Sequence, residues 1–156
     1  MKSVARYAPF KNAVPGAPPQ ASWSSIILAK GKRVFHGTDC AGNFLLPDGP
    51  AWFAFDAAGA RRAVHWERSL PRGRRQGPRR VLEAVVKRDI RLIDTRQEGI
   101  WREVCAALCK GNRDASTYEV AHAIARRRGT GWYGDTEILL VKPAYSLTAI
   151  AVHPLE

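Results

Sequence analysis

Hydrophobic and polar positions alternate, or group into short apolar runs, in several separate parts of the chain, and each such part predicts a β-strand. Lys30-Gly31-Lys32 predicts a turn between the first two runs. The fourth run is long enough for one or two strands, and the last two runs close the chain. The runs are "SSIILAK" (24–30), "KRVFHG" (32–37), "AWFAF" (51–55), "VLEAVVKRDIRLIDT" (81–95), "TEILLVKP" (136–143) and "SLTAIAVHP" (146–154).

Elsewhere the apolar positions recur at helical spacing. Asp56 is a candidate N-cap for a short helix whose apolar face is built from alanines and Val64. A second helix is predicted over 98–110 and ends at Gly111-Asn112. Its apolar stripe consists of Ile100, Trp101, Val104, Cys105, Leu108 and Cys109. Ser116 and Glu119 form a capping box for a third helix that runs to Gly129, with arginines in its last turn.

This order of elements predicts an α+β fold with a largely antiparallel core. At 156 residues the chain is long enough for one domain with a real hydrophobic core. No internal repeat or further boundary is visible, so we expect a single domain over 23–156. Residues 1–22 contain the Pro-rich stretch "KNAVPGAPPQAS" (11–22) and are expected to form an extended, mobile lead-in.

Composition narrows the class of protein. A hydrophobic content of 46% and five tryptophans are typical of a globular chain and argue against disorder. No apolar run approaches the length of a membrane span, and the first residues lack the pattern of a secretory signal. Cys40, Cys105 and Cys109 do not form the two close pairs that a zinc site needs, so we expect buried thiols in a reducing compartment and no metal.

The chain carries a formal net charge of +11, and the charge is concentrated. Residues 61–80 contain eight arginines and one glutamate, a net charge of +7 in a Pro- and Gly-punctuated loop. Such a segment favours partners that carry phosphate, among them nucleic acids, or an acidic protein surface. A solvated loop without a binding role is the plainer alternative.

Three separated motifs, taken together, resemble the ADP-ribosyltransferase superfamily, in particular its diphtheria-toxin-like and poly-ADP-ribose-polymerase-like branch. They are "FHGT" (35–38), "GPAWFAFDAAGARRAV" (49–64) and "TEILLVKPAYSLTAIAV" (136–152), and they span about three quarters of the chain. The resemblance implies two small, mostly antiparallel sheets with peripheral helices, and between them a cleft that binds NAD as a substrate.

The resemblance also implies roles for single residues at the NAD site. His36 would hydrogen-bond the adenine-side ribose, and the backbone of Gly37 would hold the nicotinamide carboxamide, with Thr38 beside it. Trp52 stands where the family usually has a tyrosine that stacks on nicotinamide, so stacking is retained and the phenol is lost. Phe53 and Ala60 fall in the same motif, and Phe53 is expected to face the opposite side of its strand. A second stacking aromatic of the family corresponds to Ala63, with His65 or Trp66 as substitutes.

Glu137 is the candidate catalytic carboxylate, because a negative charge beside the ribose stabilises an oxocarbenium-like transition state. Without the resemblance, a glutamate at a strand mouth in solvent would be the plainer interpretation. Asp135, two residues earlier, is the candidate for acceptor recognition, although it is shorter than the residues that the family usually has there. The arginines at positions 72, 74 and 75 of the basic loop are candidates for target recognition.

We therefore expect an NAD-dependent mono-ADP-ribosyltransferase that modifies a macromolecular acceptor, protein or nucleic acid. Its small size resembles bacterial toxin or effector domains of the superfamily, which implies a cytoplasmic site of action, in its own or a target cell, and an immunity protein as a further partner. An NAD glycohydrolase, an RNA 2′-phosphotransferase, a non-enzymatic nucleic-acid-binding protein and a protein-partner module are the alternatives. No membrane partner is expected.

Overall fold

The computed structural model describes residues 4–9, 24–38, 46–61, 80–97, 99–134 and 136–154. The strands in these ranges are β1 (Val4–Pro9), β2 (Ser24–Leu28), β3 (Arg33–Thr38), β4 (Ala51–Ala54), β5 (Arg80–Val86), β6 (Ile90–Asp94), β7 (Gly131–Tyr133), β8 (Glu137–Leu140) and β9 (Leu147–Pro154). The helices are α1 (57–61), α2 (Ile100–Leu108), α3 (Thr117–Arg126) and the short α4 (Pro143–Ser146). The protein is thus a mixed α+β structure, as the sequence predicts.

The described strands form one hydrogen-bonded sheet in the order β1-β2-β6-β7-β8-β4-β3-β5-β9. Neighbouring strands are antiparallel except β6 and β7, which are parallel. The expectation of two separate small sheets is therefore wrong in one respect: hydrogen bonding continues from one edge to the other. The connection is weakest between β3 and β4, which share the single pair Phe35 and Ala54.

Short connections between distant strands show why the sheet is curled. β2 leads into β3 through residues 29–32, and β5 leads into β6 through residues 87–89, although four strands separate each pair in the sheet order. Backbone bonds fix the first of these turns to the end of β5, from Gly31 N to Val86 O (2.8 Å) and from Val86 N to Lys32 O (2.9 Å). The two ends of the sheet must therefore turn towards each other.

The hydrophobic core follows from this curl. One cluster draws buried side chains from every strand between β2 and β9, including Leu28, Val34, Phe53 and Leu140, so it fills the inside of the curl. A second cluster lies on the outer face of β6, β7 and β8 beneath α2 and α3. Because both faces of β8 are buried, its sequence is a continuous apolar run and does not alternate between apolar and polar residues.

The helix ends confirm most of the local sequence predictions. The carboxylate of Asp56 accepts the backbone N–H of Gly59 (2.6 Å), which is the N-cap contact expected for α1. Ser116 and Glu119 form both bonds of the capping box of α3. The α2 stripe is buried at Ile100, Val104, Cys105 and Leu108 and half-buried at Trp101 and Cys109.

Within the expected lead-in of residues 1–22, the structure describes only residues 4–9. Residues Val4–Pro9 form an edge strand antiparallel to β2, with a register shift between Val4 and Tyr7. An edge strand has one side without ladder partners, so the proline at its end is tolerated there. The Pro-rich stretch, residues 11–22, lies outside the described residues. No helix in the described ranges is long and apolar enough to cross a bilayer.

Candidate functional site

The three motifs meet where β8, β4 and β3 lie side by side. β4 pairs with β8 over its whole length, with Ala54 opposite Glu137 and Trp52 opposite Leu139. On its other side β4 touches β3 at one pair, whereas β3 and β5 share six. The strands that carry His36, Trp52 and Glu137 are therefore neighbours, and the sheet has its narrowest connection between two of them.

His36 completes the hydrogen bonding at this narrow point. Its Nδ1 lies 2.8 Å from the carbonyl oxygen of Trp52, at the position where the β3–β4 ladder has already ended. A carbonyl oxygen only accepts, so Nδ1 carries the proton and donates it. In the neutral ring, Nε2 is then left with a lone pair that can accept a hydrogen bond from a ligand hydroxyl.

The protonation state of His36 follows from its surroundings. The imidazole packs against Phe53, with ring centroids 5.2 Å apart. Burial lowers the pKa of His36 below its ordinary value of 6.5, and the hydrogen bond to the Trp52 carbonyl opposes this only in part. The ring is therefore neutral at neutral pH, which keeps Nε2 an acceptor.

Trp52 and Glu137 lie on one face of the sheet. Directly paired residues of antiparallel strands share a face, and so do residues two positions apart on one strand. Trp52 and Glu137 are diagonal neighbours by this register, with Cα atoms about 7–8 Å apart. The indole also packs edge-on against Trp132 at 5.6 Å, and Trp132 packs against Trp101 at 4.9 Å. Trp52 is thereby held by the cluster beneath α2 and α3 while it remains partly exposed.

Glu137 is placed by a tight connection between β7 and β8. The Gly134 N–H donates to the Glu137 carbonyl oxygen (2.8 Å), so the residue after β7 is bonded directly to the first residue of β8. The carboxylate belongs to the first residue of β8, which is partly exposed, whereas the three residues that follow are buried. The acidic side chain is therefore on the first residue of β8, whose backbone pairs with β7 on one side and with β4 on the other.

The register also separates one of the three side chains from the other two. Phe35 lies in line with Ala54 and Glu137, and His36, one residue later, faces the opposite side of the sheet. Its contact with Phe53, a residue of the inner core, agrees with this. The structure therefore brings Trp52 and Glu137 together on the outer face, whereas His36 faces the inner side and contacts β4 through the Trp52 carbonyl oxygen.

Other residues expected at the NAD site take different positions. Phe53 lies on the opposite face from Trp52 and is fully buried, so its side chain does not line an accessible site. Ala60 is also buried and packs with Ala54 and Val81, which sets α1 against the outer face. Gly37 is buried and pairs with Val81, and Thr38 pairs with Arg80. The backbones of both residues therefore belong to the ladder between β3 and β5.

Several predicted residues lie outside the described residues. The candidates for acceptor recognition belong to this group, as do the candidates for a second stacking aromatic and one cysteine. They are Asp135, Arg72, Arg74, Arg75, Ala63, His65, Trp66 and Cys40.

A charged cluster on β3, β5 and β9 was not anticipated from the sequence. Glu83 is buried, and its carboxylate contacts Arg33 Nη1 (3.1 Å) and His153 Nε2 (2.8 Å). Glu83 lies directly opposite Phe35, and therefore on the same face as Glu137. The sequence signal was a single acid inside the apolar run "VLEAVV", which indicates a buried partner but does not name it.

The two described cysteines show no sign of reactivity. Cys105 is buried, with Sγ 3.7 Å from the Ala115 carbonyl oxygen, and burial raises the pKa of both Cys105 and Cys109. Protonated thiols are poor nucleophiles and poor metal ligands. In the described part of the chain, no three His, Cys, Asp or Glu side chains are grouped closely enough to hold a metal ion.

Chemically, a carboxylate and an indole lie on the outer face at a narrow point of the sheet, and a neutral imidazole lies at the same point on the opposite face. The carboxylate can stabilise positive charge, the indole can stack on a planar ring, and the imidazole can accept from a hydroxyl. Comparison of the chain with models of protein families, with curated proteins and with solved structures finds no match.

Proposed function

We propose that the protein is an NAD-dependent mono-ADP-ribosyltransferase with Glu137 as its catalytic carboxylate. The observation that supports this most directly is the neighbouring position of β3, β4 and β8, which carry the three motif residues. The motifs are more than a hundred residues apart at their extremes, from His36 to Glu137. A chance match has no reason to fall on adjacent strands with Trp52 and Glu137 on one face.

In the proposed reaction, the C–N bond between nicotinamide and ribose breaks, and its electron pair leaves on the nicotinamide nitrogen. The ribose carbon becomes positively charged as the bond lengthens, and the Glu137 carboxylate stabilises this charge. A nucleophilic atom of the acceptor then bonds to the same carbon and loses its proton. Water in place of the acceptor would give NAD hydrolysis by the same route.

The other residues act on binding and orientation. Trp52 offers a π face for the nicotinamide ring, and its contact with Trp132 limits the rotamers that the indole can adopt. His36 is a positioning and binding residue, since Nε2 accepts from a ribose hydroxyl while Nδ1 is held by the Trp52 carbonyl. The backbone of Gly37 is the proposed partner of the nicotinamide carboxamide.

Transfer of label from NAD tests the proposal. The purified chain is incubated with NAD labelled in its adenylate half, together with separate protein and RNA fractions, and the acid-insoluble label is counted. We expect label in one fraction and a loss of at least about 100-fold in Glu137→Gln, which keeps size and hydrogen bonding but removes the charge. Glu103→Gln, an exposed glutamate of α2, is the matched control and should behave as wild type.

Label that appears equally with wild type and Glu137→Gln would contradict the proposed role of the carboxylate. NAD consumption by wild type without label in either fraction would leave the chemistry in place and assign water as the acceptor.

A further inference from the structure

Three connections meet where the two ends of the curled sheet approach each other, and we call this region the basic end. It consists of the turn 29–32, the turn 87–89 and residues 142–146 around α4. The backbone N–H of Lys30 donates to Asp89 Oδ1 (2.8 Å), which joins the two turns. Lys87 joins the second turn to α4, with Nζ donating to the Ala144 carbonyl oxygen (3.0 Å) and its backbone N–H donating to Ser146 O (3.0 Å). The region is therefore one surface with fixed internal geometry.

This surface is strongly cationic. Its charged residues are Lys30, Lys32, Lys87, Arg88, Lys142 and Asp89. Five cations and one carboxylate give a formal charge of +4 within three short segments, and Asp89 already accepts the Lys30 amide. Lys30, Lys87, Arg88 and Lys142 are exposed, and none of these four forms an ion pair with a described carboxylate. The charge is thus available to a partner.

An aromatic side chain lies within the same surface. Tyr145 is 65% exposed, which is unusual for a large ring, and the guanidinium carbon of Arg88 lies 4.7 Å from its ring centroid. A guanidinium stacked on an exposed tyrosine presents a planar cation next to a planar π surface. Nucleobases stack on both kinds of group.

The basic end and the candidate active site use different residues. Glu137 is the first residue of β8, whereas Lys142 follows the other end of that strand. The turn 29–32 precedes the end of β3 that lies on the Glu137 side, since Phe35 pairs with Ala54 and Ala54 with Glu137. Lys30, Lys87 and Lys142 are not among the candidate active-site residues, so variants can test the two sites separately.

We propose that the basic end binds single-stranded nucleic acid, with Lys30, Lys87 and Lys142 on phosphates and a base stacked on the Arg88–Tyr145 pair. The proposal does not depend on the enzymatic activity. An anionic membrane fits less well, because a membrane-binding surface combines cations with inserted apolar side chains. Among the described residues the exposed large hydrophobics are Tyr118, Tyr145 and Ile150, and only Tyr145 lies here.

Salt-dependent binding of a labelled, mixed-sequence RNA strand of about 12 nucleotides, followed by fluorescence anisotropy, tests the phosphate contacts. The full chain is compared with the triple variant Lys30→Gln, Lys87→Gln, Lys142→Gln. Each phosphate contact on a single strand contributes about 0.7 to the slope of log affinity against log salt, so the slope should fall by about 2. The control replaces three exposed basic residues elsewhere, Lys110→Gln, Arg113→Gln and Arg128→Gln, and should keep the wild-type slope.

A second comparison tests the base contact and does not disturb the Lys87 bond to α4. Tyr145→Ala should weaken binding about tenfold, and Tyr145→Phe should not, because stacking needs the ring and not the hydroxyl. On an abasic strand of the same length, wild type and Tyr145→Ala should bind equally. A stacking role predicts this pattern, whereas a purely structural role of Tyr145 predicts equal losses on both strands.

Two results would overturn the proposal. Equal affinity and slope for wild type and the triple variant would show that nucleic acid, if bound, is held elsewhere, with the arginines of residues 61–80 the obvious place. Tighter binding to anionic vesicles or to polyglutamate than to the RNA strand, lost in the same triple variant, would assign the surface to a membrane or to an acidic protein.

Discussion

At the scale of single residues, His36 has both a structural and a proposed binding role. Its Nδ1–H satisfies the Trp52 carbonyl where the strand ladder stops, and an unpaired carbonyl there would be costly. The same bond fixes the tautomer and leaves Nε2 as an acceptor. A histidine at the end of this strand therefore needs no second histidine and no carboxylate to explain it.

Because folding lowers the pKa of His36, the free energy of unfolding decreases as the pH falls. Because the folded chain binds this proton less readily than the unfolded chain, the contribution of His36 is present above its ordinary pKa of 6.5 and is lost as pH falls towards the lower folded value. We expect the free energy of unfolding to drop below about pH 6.5, by at most about 1.4 kcal/mol per pH unit from this group.

Urea denaturation of wild type and His36→Gln, from about pH 8 to about pH 5, measures this contribution as the difference between the two pH profiles. Gln lacks a titrating group and can still donate to the Trp52 carbonyl, so its profile should be flatter. Parallel profiles for the two proteins would show that His36 does not titrate differently on folding.

At the scale of elements, the placement of Glu137 depends on the close approach of β7 and β8. Gly131 has φ 151°, and a Cβ at this position would overlap the carbonyl group of Leu139 on the neighbouring strand. A glycine is therefore needed for β7 to pair at this register, and β7 in turn holds the strand that begins with Glu137.

Gly131→Ala should lower the free energy of unfolding by about 2–4 kcal/mol, since the clash is with backbone and cannot be relieved by a rotamer change. Gly49→Ala is the matched control, because a Cβ there meets nothing within 4 Å, and its effect should stay within about 0.5 kcal/mol. Chemical denaturation measures both. A Gly131→Ala variant as stable as Gly49→Ala would show that β7 and β8 are not this closely paired.

The elements also show how far sequence reasoning reaches. Caps and helical stripes are local patterns, so Asp56, the capping box and the buried face of α2 could be predicted. The strand order depends on contacts between distant segments, and neither the single continuous sheet nor the parallel β6–β7 pair follows from any one stretch. For the same reason the motifs name candidate residues, but the face of His36 became visible only through the register of β3 with β4 and of β4 with β8.

At the scale of the whole molecule, the curled sheet brings segments that are distant in sequence into two regions. The narrow contact between β3 and β4 lies near Glu137, and the basic end gathers the turns 29–32 and 87–89 and α4. Of the formal net charge of +11, residues 61–80 carry +7 and the rest of the chain carries +4. The arginine-rich segment connects α1 to β5, two elements that border the candidate active site.

This arrangement predicts that substrate cleavage and target recognition can be separated. The variant Arg72→Gln, Arg74→Gln, Arg75→Gln should keep nicotinamide release from NAD, because these residues are not among the proposed catalytic groups. Transfer of labelled ADP-ribose to the acceptor should fall about tenfold or more, as expected when several charge-assisted contacts are lost. Equal loss of both activities would instead place the arginines in the NAD site.

The most direct test of the central proposal is nicotinamide release from NAD by the purified chain, followed by chromatography. Wild type should release nicotinamide, Glu103→Gln should release it at the same rate, and Glu137→Gln should be slower by at least about 100-fold while keeping the same thermal unfolding midpoint. Undetectable release by folded wild type, or undiminished release by Glu137→Gln, would contradict the assignment of this carboxylate to NAD chemistry.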